Sequence, residues 1–234
     1  METRREVERL AGVYREYART GAPRTRWSLD NAGNRAIAAE RRARIRTLLA
    51  ARGMPPLGAC DILDVGCGTG DVLAELVSLG ARPARCHGVD LRPDAIDVAR
   101  SRHAAIRFEP GNAESLPVGD ACVDLVLAFT VFTSILDATM AERVAAEMTR
   151  VLRPRGAVLW YDFRYDNPAN PHVRGVGRRR IARLFPGLTP HLESLTVLPP
   201  LARRLGKATP WAYPLLARVS PLRTHYLGLL RRAH

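Results

Sequence analysis

Two carboxylates and three glycines lie at a spacing suited to holding a nucleotide-like cofactor. Asp64 precedes Gly66, Gly68 and Gly70, a segment with few side chains that can turn tightly and present its backbone to a ligand. Asp90 ends a second apolar run about twenty residues further on, where a doubly wound fold places a ribose ligand. A carboxylate suits that task because it accepts hydrogen bonds from two hydroxyls. These residues predict a nucleotide-cofactor pocket.

The elements around these residues alternate between strand and helix. Short apolar runs predict strands near residues 61–65, 85–90, 105–109, 123–129 and 156–163, followed by 192–198 and 224–230. Helical spacing predicts helices near residues 71–80, 93–102 and 137–152, and the last is expected to end at the Arg-Pro-Arg-Gly segment 153–156. This alternation indicates a parallel sheet with helices on both faces.

Three further segments extend the pattern in order. They are a Gly-Asn-Ala-Glu loop at 111–117, an apolar strand at 124–129 and a Leu-Arg-Pro-Arg-Gly helix end with its strand at 151–159. With the Gly-x-Gly-x-Gly loop and Asp90, they resemble the class I S-adenosylmethionine-dependent methyltransferases over roughly residues 58–163. The resemblance implies an α/β fold: a doubly wound, seven-stranded, mostly parallel Rossmann-like sheet that ends in an antiparallel hairpin.

The flanks complete the expected organisation. Residues 1–57 are predicted to form an N-terminal helical cap or lid, and residues 58–234 the methyltransferase domain. Residues 199–221 are expected to be an insertion between the last two strands, an apolar helical flap at the acceptor mouth. A membrane-surface helix is the alternative for that insertion, because four cations flank its apolar residues: Arg203, Arg204, Lys207 and Arg218.

The resemblance implies S-adenosyl-L-methionine as cofactor and S-adenosyl-L-homocysteine as product. The corresponding cofactor residues are Asp64, Gly66, Cys67, Gly68, Gly70, Asp90, Leu91, Asn112, Ala113, Glu114 and Phe129. Cys67 is interpreted as a small residue beside the cofactor rather than a nucleophile. Asn112 departs from the family pattern, which more often has aspartate, but its amide oxygen can still accept a hydrogen bond. No metal-ligand cluster occurs, so no metal is expected.

Acceptor chemistry is assigned to loops at the carboxyl ends of the strands. Asp162 and His172 are candidates to take a proton from an acceptor hydroxyl, although Asp162 can equally hold its loop through backbone hydrogen bonds. Candidate acceptor contacts are Tyr14, Tyr17, Arg26, Trp27, Thr133, Ser134, Asn167 and Trp211, for most of which ordinary packing is the alternative. Thr133 and Ser134 can instead cap a helix.

The segment after the fifth strand resembles a bacterial subgroup of small-molecule methyltransferases from sugar and secondary-metabolite pathways. It combines Tyr-Asp-Phe-Arg, two Asn-Pro pairs and Arg-Gly within residues 161–175. The favoured function is therefore methyl transfer to a hydroxyl oxygen of a sugar or natural product. Methylation of nitrogen or carbon, an RNA methyltransferase and a non-catalytic S-adenosylmethionine binder remain as alternatives.

Charge is unevenly distributed along the 234 residues, whose net charge is +13. Residues 1–59 carry 13 basic and 6 acidic side chains, residues 60–163 carry 10 and 15, and residues 164–234 carry 13 and 2. The basic flanks fit an anionic partner or, as we favour, a compositional bias towards arginine. We expect a small-molecule acceptor, no stable nucleic-acid partner, a possible peripheral membrane contact, and a monomer or homodimer.

The expected cellular compartment is inferred from targeting signals that the sequence lacks. The charged start lacks the apolar core of a signal peptide, and no apolar run approaches a membrane span. The four cysteines form no Cys-x-x-Cys pair, which argues against a zinc site or a disulfide framework. A cytoplasmic protein is the expectation.

Overall fold

The computed structural model describes residues 2–21 and 27–232, and within them the predicted α/β fold is confirmed. Seven strands form one sheet: β1 (Ile62–Val65), β2 (Cys86–Asp90), β3 (Arg107–Pro110), β4 (Val123–Phe129), β5 (Leu152–Phe163), β6 (Leu188–Val197) and β7 (Arg223–Arg232). The helices are α1 (Glu2–Thr20), α2 (Ala32–Ala51), α3 (Asp71–Ser78), α4 (Pro93–Arg102), α5 (Ala138–Val151), α6 (Arg178–Leu184), α7 (Pro199–Arg204) and α8 (Thr209–Leu216).

Strand order in the sheet is β3-β2-β1-β4-β5-β7-β6. The strands β1 to β5 pair in parallel, whereas β7 is antiparallel to both β5 and β6. Order reverses between β1 and β4, so their carboxyl ends open a crevice there, where doubly wound folds bind ligands. Because β6 runs towards that same edge and β7 runs away from it, residues 198–222 also lie at this edge.

Helices cover both faces of the sheet. One apolar cluster joins α2, α3 and α4 to one face through Ile45, Leu73 and Ile96, all of which are buried. A second cluster joins α5 and α6 to the other face through Met148 and Ile181. Strands covered on both faces are buried along their length, which is why β1 reads as a continuous apolar run apart from Asp64.

Two strands begin four residues earlier than the sequence predicts, whereas the other strand starts differ by two residues or fewer. β5 begins at Leu152 rather than 156, because Leu152 pairs with Val123 before residues 153–156 bulge past β4. Pro154 is tolerated there because a bulged residue does not need to donate a backbone N–H to the neighbouring strand. β6 begins at Leu188 rather than 192, although it contains Pro190, because it is the edge strand of the sheet.

The flanking elements meet the sheet at two places. Helix α1 packs against α5, while α2 packs against α7 and α8. A small apolar cluster of Ile37, Val197, Ala202 and Tyr213 joins α2 to the connection between β6 and β7. Among the described residues, no helix is long and apolar enough to cross a membrane. The division of the chain at residues 57 and 58 stays a prediction.

Candidate functional site

A cavity of about 260 Å³ opens at the carboxyl edge of the sheet, beneath α1. Its lining includes predicted cofactor residues from three successive strand ends. The described residues that line it are Leu10, Tyr14, Gly66, Gly68, Val89, Asp90, Leu91, Arg92, Gly111, Asn112, Ala113, Phe129, Thr130, Val131, Ser134, Ile135 and Met140. The fold therefore brings the glycine loop, Asp90 and the Asn112 loop around one space, which we term the slot.

The glycine loop presents backbone to the slot. Gly66 and Gly68 have φ of +74° and +53°, conformations that a side chain would strain. A Cβ on Gly66 would lie 3.0 Å from Val131 Cγ2, whereas one on Gly68 would meet no atom within 4 Å and would project into open space. The first glycine is needed for packing and the second leaves room for a ligand.

Asp90 ends β2 and links the glycine loop to the start of α4. Its Oδ2 accepts the Gly68 N–H at 2.8 Å and its Oδ1 accepts the Arg92 N–H at 2.9 Å. A carboxylate has about four acceptor positions, so both oxygens retain a lone pair for a ligand. The side chain is thus oriented by backbone N–H groups and can still accept hydrogen bonds from two hydroxyls.

Asp64 is a buried carboxyl whose two oxygens have no hydrogen-bond partner among the described residues. Its residue exposure is 1%. Burial, followed by the nearby negative charge of Asp90, holds the pKa of Asp64 well above its ordinary value. An unpaired buried carboxyl beside a glycine loop indicates that a donor or cation belongs there.

The loop after β3 contributes a turn formed by the uncharged side chain of Asn112. Asn112 Oδ1 accepts the Glu114 N–H at 3.0 Å, and Asn112 Nδ2 donates to Glu114 Oε2 at 3.2 Å. Asn112 and Ala113 line the slot, whereas Glu114 lies outside the lining and pairs with Arg143 at 3.5 Å. One lone pair of Asn112 Oδ1 is already used by the turn, which leaves one for a ligand donor.

Helix α1 is fastened over the slot by an ion pair. Glu6 Oε1 accepts the Leu136 N–H at 2.7 Å, while Arg9 binds both Glu6 oxygens and the Ser134 carbonyl at 2.6 Å. Burial opposes ionisation of Glu6, but the hydrogen bonds from Arg9 and from backbone N–H groups outweigh it and lower its pKa. The Tyr14 hydroxyl lies 3.0 Å from Ser134 Oγ. This arrangement closes one side of the slot.

Phe129 and Thr130 form the end of β4 at the slot. Thr130 has φ of +55°, which is rare for a β-branched residue, and its N–H donates to the Tyr161 carbonyl at 2.8 Å. The Arg41 guanidinium lies 5.8 Å from the Phe129 ring centroid and 5.4 Å from that of Tyr161. Arg41 also pairs with Glu75, while its buried Nε has no partner among the described residues.

The two candidate proton acceptors lie outside the slot lining. Asp162 is 0% exposed, and its carboxylate accepts the N–H groups of Thr133 at 3.0 Å and Phe163 at 2.8 Å. Burial raises the pKa of Asp162 to about 7 despite these hydrogen bonds. This geometry fits the loop-holding alternative for Asp162. His172 is exposed, and its N–H donates to Asn170 Oδ1 at 3.1 Å.

The candidate acceptor contacts divide into two groups. Tyr14 and Ser134 line the slot. The others lie elsewhere: Thr133 is buried, the Tyr17 hydroxyl accepts from Asn170, Asn167 caps its own loop, and Trp27 and Trp211 are exposed. Arg26 lies outside the described residues.

Cys67 and Gly70 are predicted cofactor residues that do not line the slot. Cys67 is buried in the apolar cluster on one face of the sheet, and Gly70 lies against Phe108 and His103. Burial raises the pKa of the Cys67 thiol, as expected for an inert residue.

Several lining residues are not named individually in the sequence prediction, although Gly111 and the residues after β4 belong to loops that it assigns to the site. These residues are Leu10, Val89, Arg92, Gly111, Thr130, Val131, Ile135 and Met140, together with Arg41 beside the slot. Arg92 could have been predicted from its position two residues after Asp90, because the turn between a strand and the next helix lies at the same crevice. Leu10 and Met140 come together only through packing of α1 on α5, which no local pattern indicates.

Comparison with known proteins agrees with this geometry. Residues 62–156 match a family model described as a methyltransferase domain. A ubiquinone/menaquinone biosynthesis C-methyltransferase of Methylobacterium nodulans is 32% identical over 139 residues, which are 57% of this chain and 52% of that protein. A fatty-acid O-methyltransferase of Mycolicibacterium smegmatis is 40% identical over 111 residues, which are 46% of this chain and 39% of that protein. The chain thus spans about half or less of the length of these curated relatives.

Solved structures give the same fold. An S-adenosylmethionine-dependent methyltransferase from Mesorhizobium loti superimposes with a TM-score of 0.59 at 18% identity, covering 81% of this chain and 98% of that one. At this identity the likeness concerns the fold alone. It covers a larger share of the chain than residues 62–156, which the family model matches.

Proposed function

Because this chain belongs to the class I S-adenosylmethionine-dependent methyltransferases, we propose that it transfers the methyl group of S-adenosylmethionine to a small-molecule acceptor. The observation that carries the proposal is the slot: an open glycine loop and Asp90 with spare lone pairs line one cavity, and the unpaired Asp64 lies in β1, two residues before Gly66. When bound, the sulfonium supplies an already activated methyl group, so the chain's task is alignment.

The residues present fit that cofactor. Asp90 would accept from the two ribose hydroxyls while its backbone contacts fix its orientation. Ala113 and Asn112 would face the adenine, with the remaining lone pair of the Asn112 amide oxygen available to an amino group. Asp64 would meet the amino-acid ammonium, which gives a buried carboxylate the positive partner that it lacks.

Arg41 would hold the opposite end of the amino-acid group. Its guanidinium lies over Phe129, a lining residue, and its buried Nε has an unused donor. A guanidinium presents several donors in one plane and binds carboxylates through two parallel hydrogen bonds. Glu75 keeps the arginine in place on the neighbouring helix α3. We therefore assign Arg41 to the methionine carboxylate.

The acceptor is expected to carry an apolar body. The slot beside Tyr14 and Ser134 is lined largely by aliphatic residues, with Val131 and Ile135 in the loop after β4. A free sugar needs many polar contacts, whereas a natural product or lipid needs a few hydroxyls among apolar surfaces. We accordingly favour a hydroxyl of an apolar natural product over a free sugar, and the relatives named above include both O- and C-methyltransferases.

A transfer assay tests this function. The protein is incubated with S-adenosylmethionine labelled in the methyl group and a panel of phenols, quinols, hydroxy fatty acids and nucleotide sugars. We expect label in an apolar acceptor and equimolar S-adenosylhomocysteine, with both reduced in Asp90→Ala. Binding of S-adenosylhomocysteine without label transfer to any acceptor would instead support a non-catalytic binder.

A further inference from the structure

Helix α8 has two sides with different surroundings. Ala212 and Tyr213 are buried towards α2, and the Tyr213 hydroxyl donates to Glu40 at 2.7 Å. On the other side, Trp211 and Leu215 are four residues apart and are 66% and 55% exposed; Val219, which follows the end of the helix, is 45% exposed. Residues four apart lie on one side of a helix, so Trp211 and Leu215 form an exposed apolar ridge, and the segment after the helix adds Val219.

Neighbouring segments add to this surface. Leu198, 41% exposed, is held beside the end of the same connection because its N–H donates to the Leu222 carbonyl at 2.8 Å. The Arg203 guanidinium of α7 lies 5.5 Å from the ring centroid of Trp27. We define the outer face as Trp27, Leu29, Leu198, Trp211, Leu215 and Val219, which are six of the eight large apolar residues that are exposed among the described ones.

The connection between β6 and β7 contributes only positive charges beside the outer face, whereas Asp30 is an exposed acidic residue next to Leu29. Arg204, Lys207 and Arg218 are exposed next to the outer face. No aspartate or glutamate follows Glu193 in the sequence, so the connection between β6 and β7 contains cations without any acidic side chain. Exposed aromatic and aliphatic residues bordered by cations are typical of protein segments that lie on anionic membranes.

We propose that the outer face docks on an anionic lipid surface. A ridge on the outside of a helix can enter the headgroup region, whereas a peptide or helical partner is usually received in a groove. Insertion would be peripheral, because no helix in the described ranges can span a bilayer. The tryptophans would lie at the interface, where aromatic residues prefer to be.

The position of the outer face gives docking a consequence. The connection between β6 and β7 leaves the sheet at the edge where Phe163 of β5 pairs with His225 of β7. This is the edge on which the slot opens. Docking would therefore bring the slot edge close to the lipid surface, which suits an acceptor dissolved in the bilayer. That consequence rests on the proposed methyl transfer, but the docking itself does not.

Co-sedimentation with vesicles tests the docking. The full chain is mixed with vesicles of phosphatidylcholine alone or with 30% phosphatidylglycerol, at low salt. We expect binding to the anionic vesicles that weakens steeply with added salt. Changing Arg204, Lys207 and Arg218 together to Gln should lower the partition coefficient on the order of 100-fold, since each cation near the surface contributes about a tenfold gain or less.

Matched variants separate docking from general effects. Trp211→Ser with Leu215→Ser should lower partitioning at least about tenfold, while Val98→Ser on α4, also exposed, should not. A control triple, Arg46, Arg155 and Arg183 to Gln, removes the same charge elsewhere and should have a smaller effect. S-adenosylhomocysteine binding should stay unchanged in every variant, which keeps this test independent of the proposed function.

Two results would overturn the proposal. The first is equal partitioning of the Trp211/Leu215 variant and wild type. The second is absence of vesicle binding together with a dimer, seen by sedimentation velocity, that the same variant dissociates, because the outer face would then be an interface between two copies.

Discussion

Replacing Asp64 by valine should stabilise the protein without ligand and weaken its cofactor binding. Asp64 is 1% exposed, and neither carboxyl oxygen has a partner among the described residues. An unsatisfied buried polar group costs roughly 1–3 kcal/mol. Valine has a similar size and favours strands, so Asp64→Val removes that cost within β1. For a chain of this length the gain corresponds to a rise in Tm of roughly 2–12 °C.

Thermal unfolding with and without S-adenosylhomocysteine measures both effects. At a ligand concentration about 100 times Kd, wild type should gain about 2.7 kcal/mol from binding. A tenfold weaker variant should lose about half of that gain, about 1.4 kcal/mol. Asp124→Val is the matched control, because Asp124 accepts the Asp61 N–H at 2.8 Å and pairs with Arg153. That variant should lower the Tm of the protein without ligand.

Two results would contradict the roles predicted for Asp64. A Tm of Asp64→Val several degrees below wild type would show that the carboxyl stabilises the ligand-free fold. An undiminished shift with S-adenosylhomocysteine would show that Asp64 does not contact the cofactor. The first result would contradict the predicted stabilisation, and the second would remove Asp64 from the cofactor site.

Three further predictions use other residues. Burial raises the pKa of Asp162 to about 7, so its protonated form contributes stability below about pH 4 that is lost as pH rises through 7. Wild type should therefore lose on the order of 4 kcal/mol relative to Asp162→Asn across that window in urea titrations; parallel curves would contradict this. Arg41→Ala should weaken S-adenosylhomocysteine at least about tenfold but leave 5′-methylthioadenosine, which lacks the carboxylate, unchanged; equal losses would indicate a structural role. Glu6→Gln should speed amide hydrogen exchange in α1 and the release of S-adenosylhomocysteine, while exchange in α4 stays as in wild type; unchanged α1 protection would show that α1 is held by its apolar contacts.

Much of the fold could be predicted because its signals are local. The glycine spacing, Asp90 and the alternation of apolar runs each depend on neighbouring residues, and the seven strands followed. The start of β5 was placed four residues late because Pro154 indicates a break, whereas the bulge that accommodates it depends on pairing with β4. Pro190 likewise made the predicted start of β6 too late, because the position of a strand at the edge of a sheet depends on the whole fold.

The site was less predictable where it depends on packing between distant segments. Arg41 is one arginine in an arginine-rich helix, and its place over Phe129 follows from the docking of α2 on the sheet. Asp162 has the residue type and strand-end position of a proton acceptor. Its backbone hydrogen bonds to Thr133 and Phe163 become visible only once the loop after β4 is in place.

The proposed methyl transfer depends on binding of the S-adenosylmethionine ribose by the glycine loop and Asp90. Calorimetric titration of S-adenosylhomocysteine and its 2′-deoxyribose analogue into wild type and Asp90→Ala tests it directly. We predict one site per chain, a loss of more than about tenfold in Asp90→Ala, since a charge-assisted hydrogen bond contributes about 1.5–3 kcal/mol, and a penalty for the deoxy analogue in wild type alone. Equal affinity of the two proteins, or a deoxy penalty that persists in Asp90→Ala, would contradict this mode of binding.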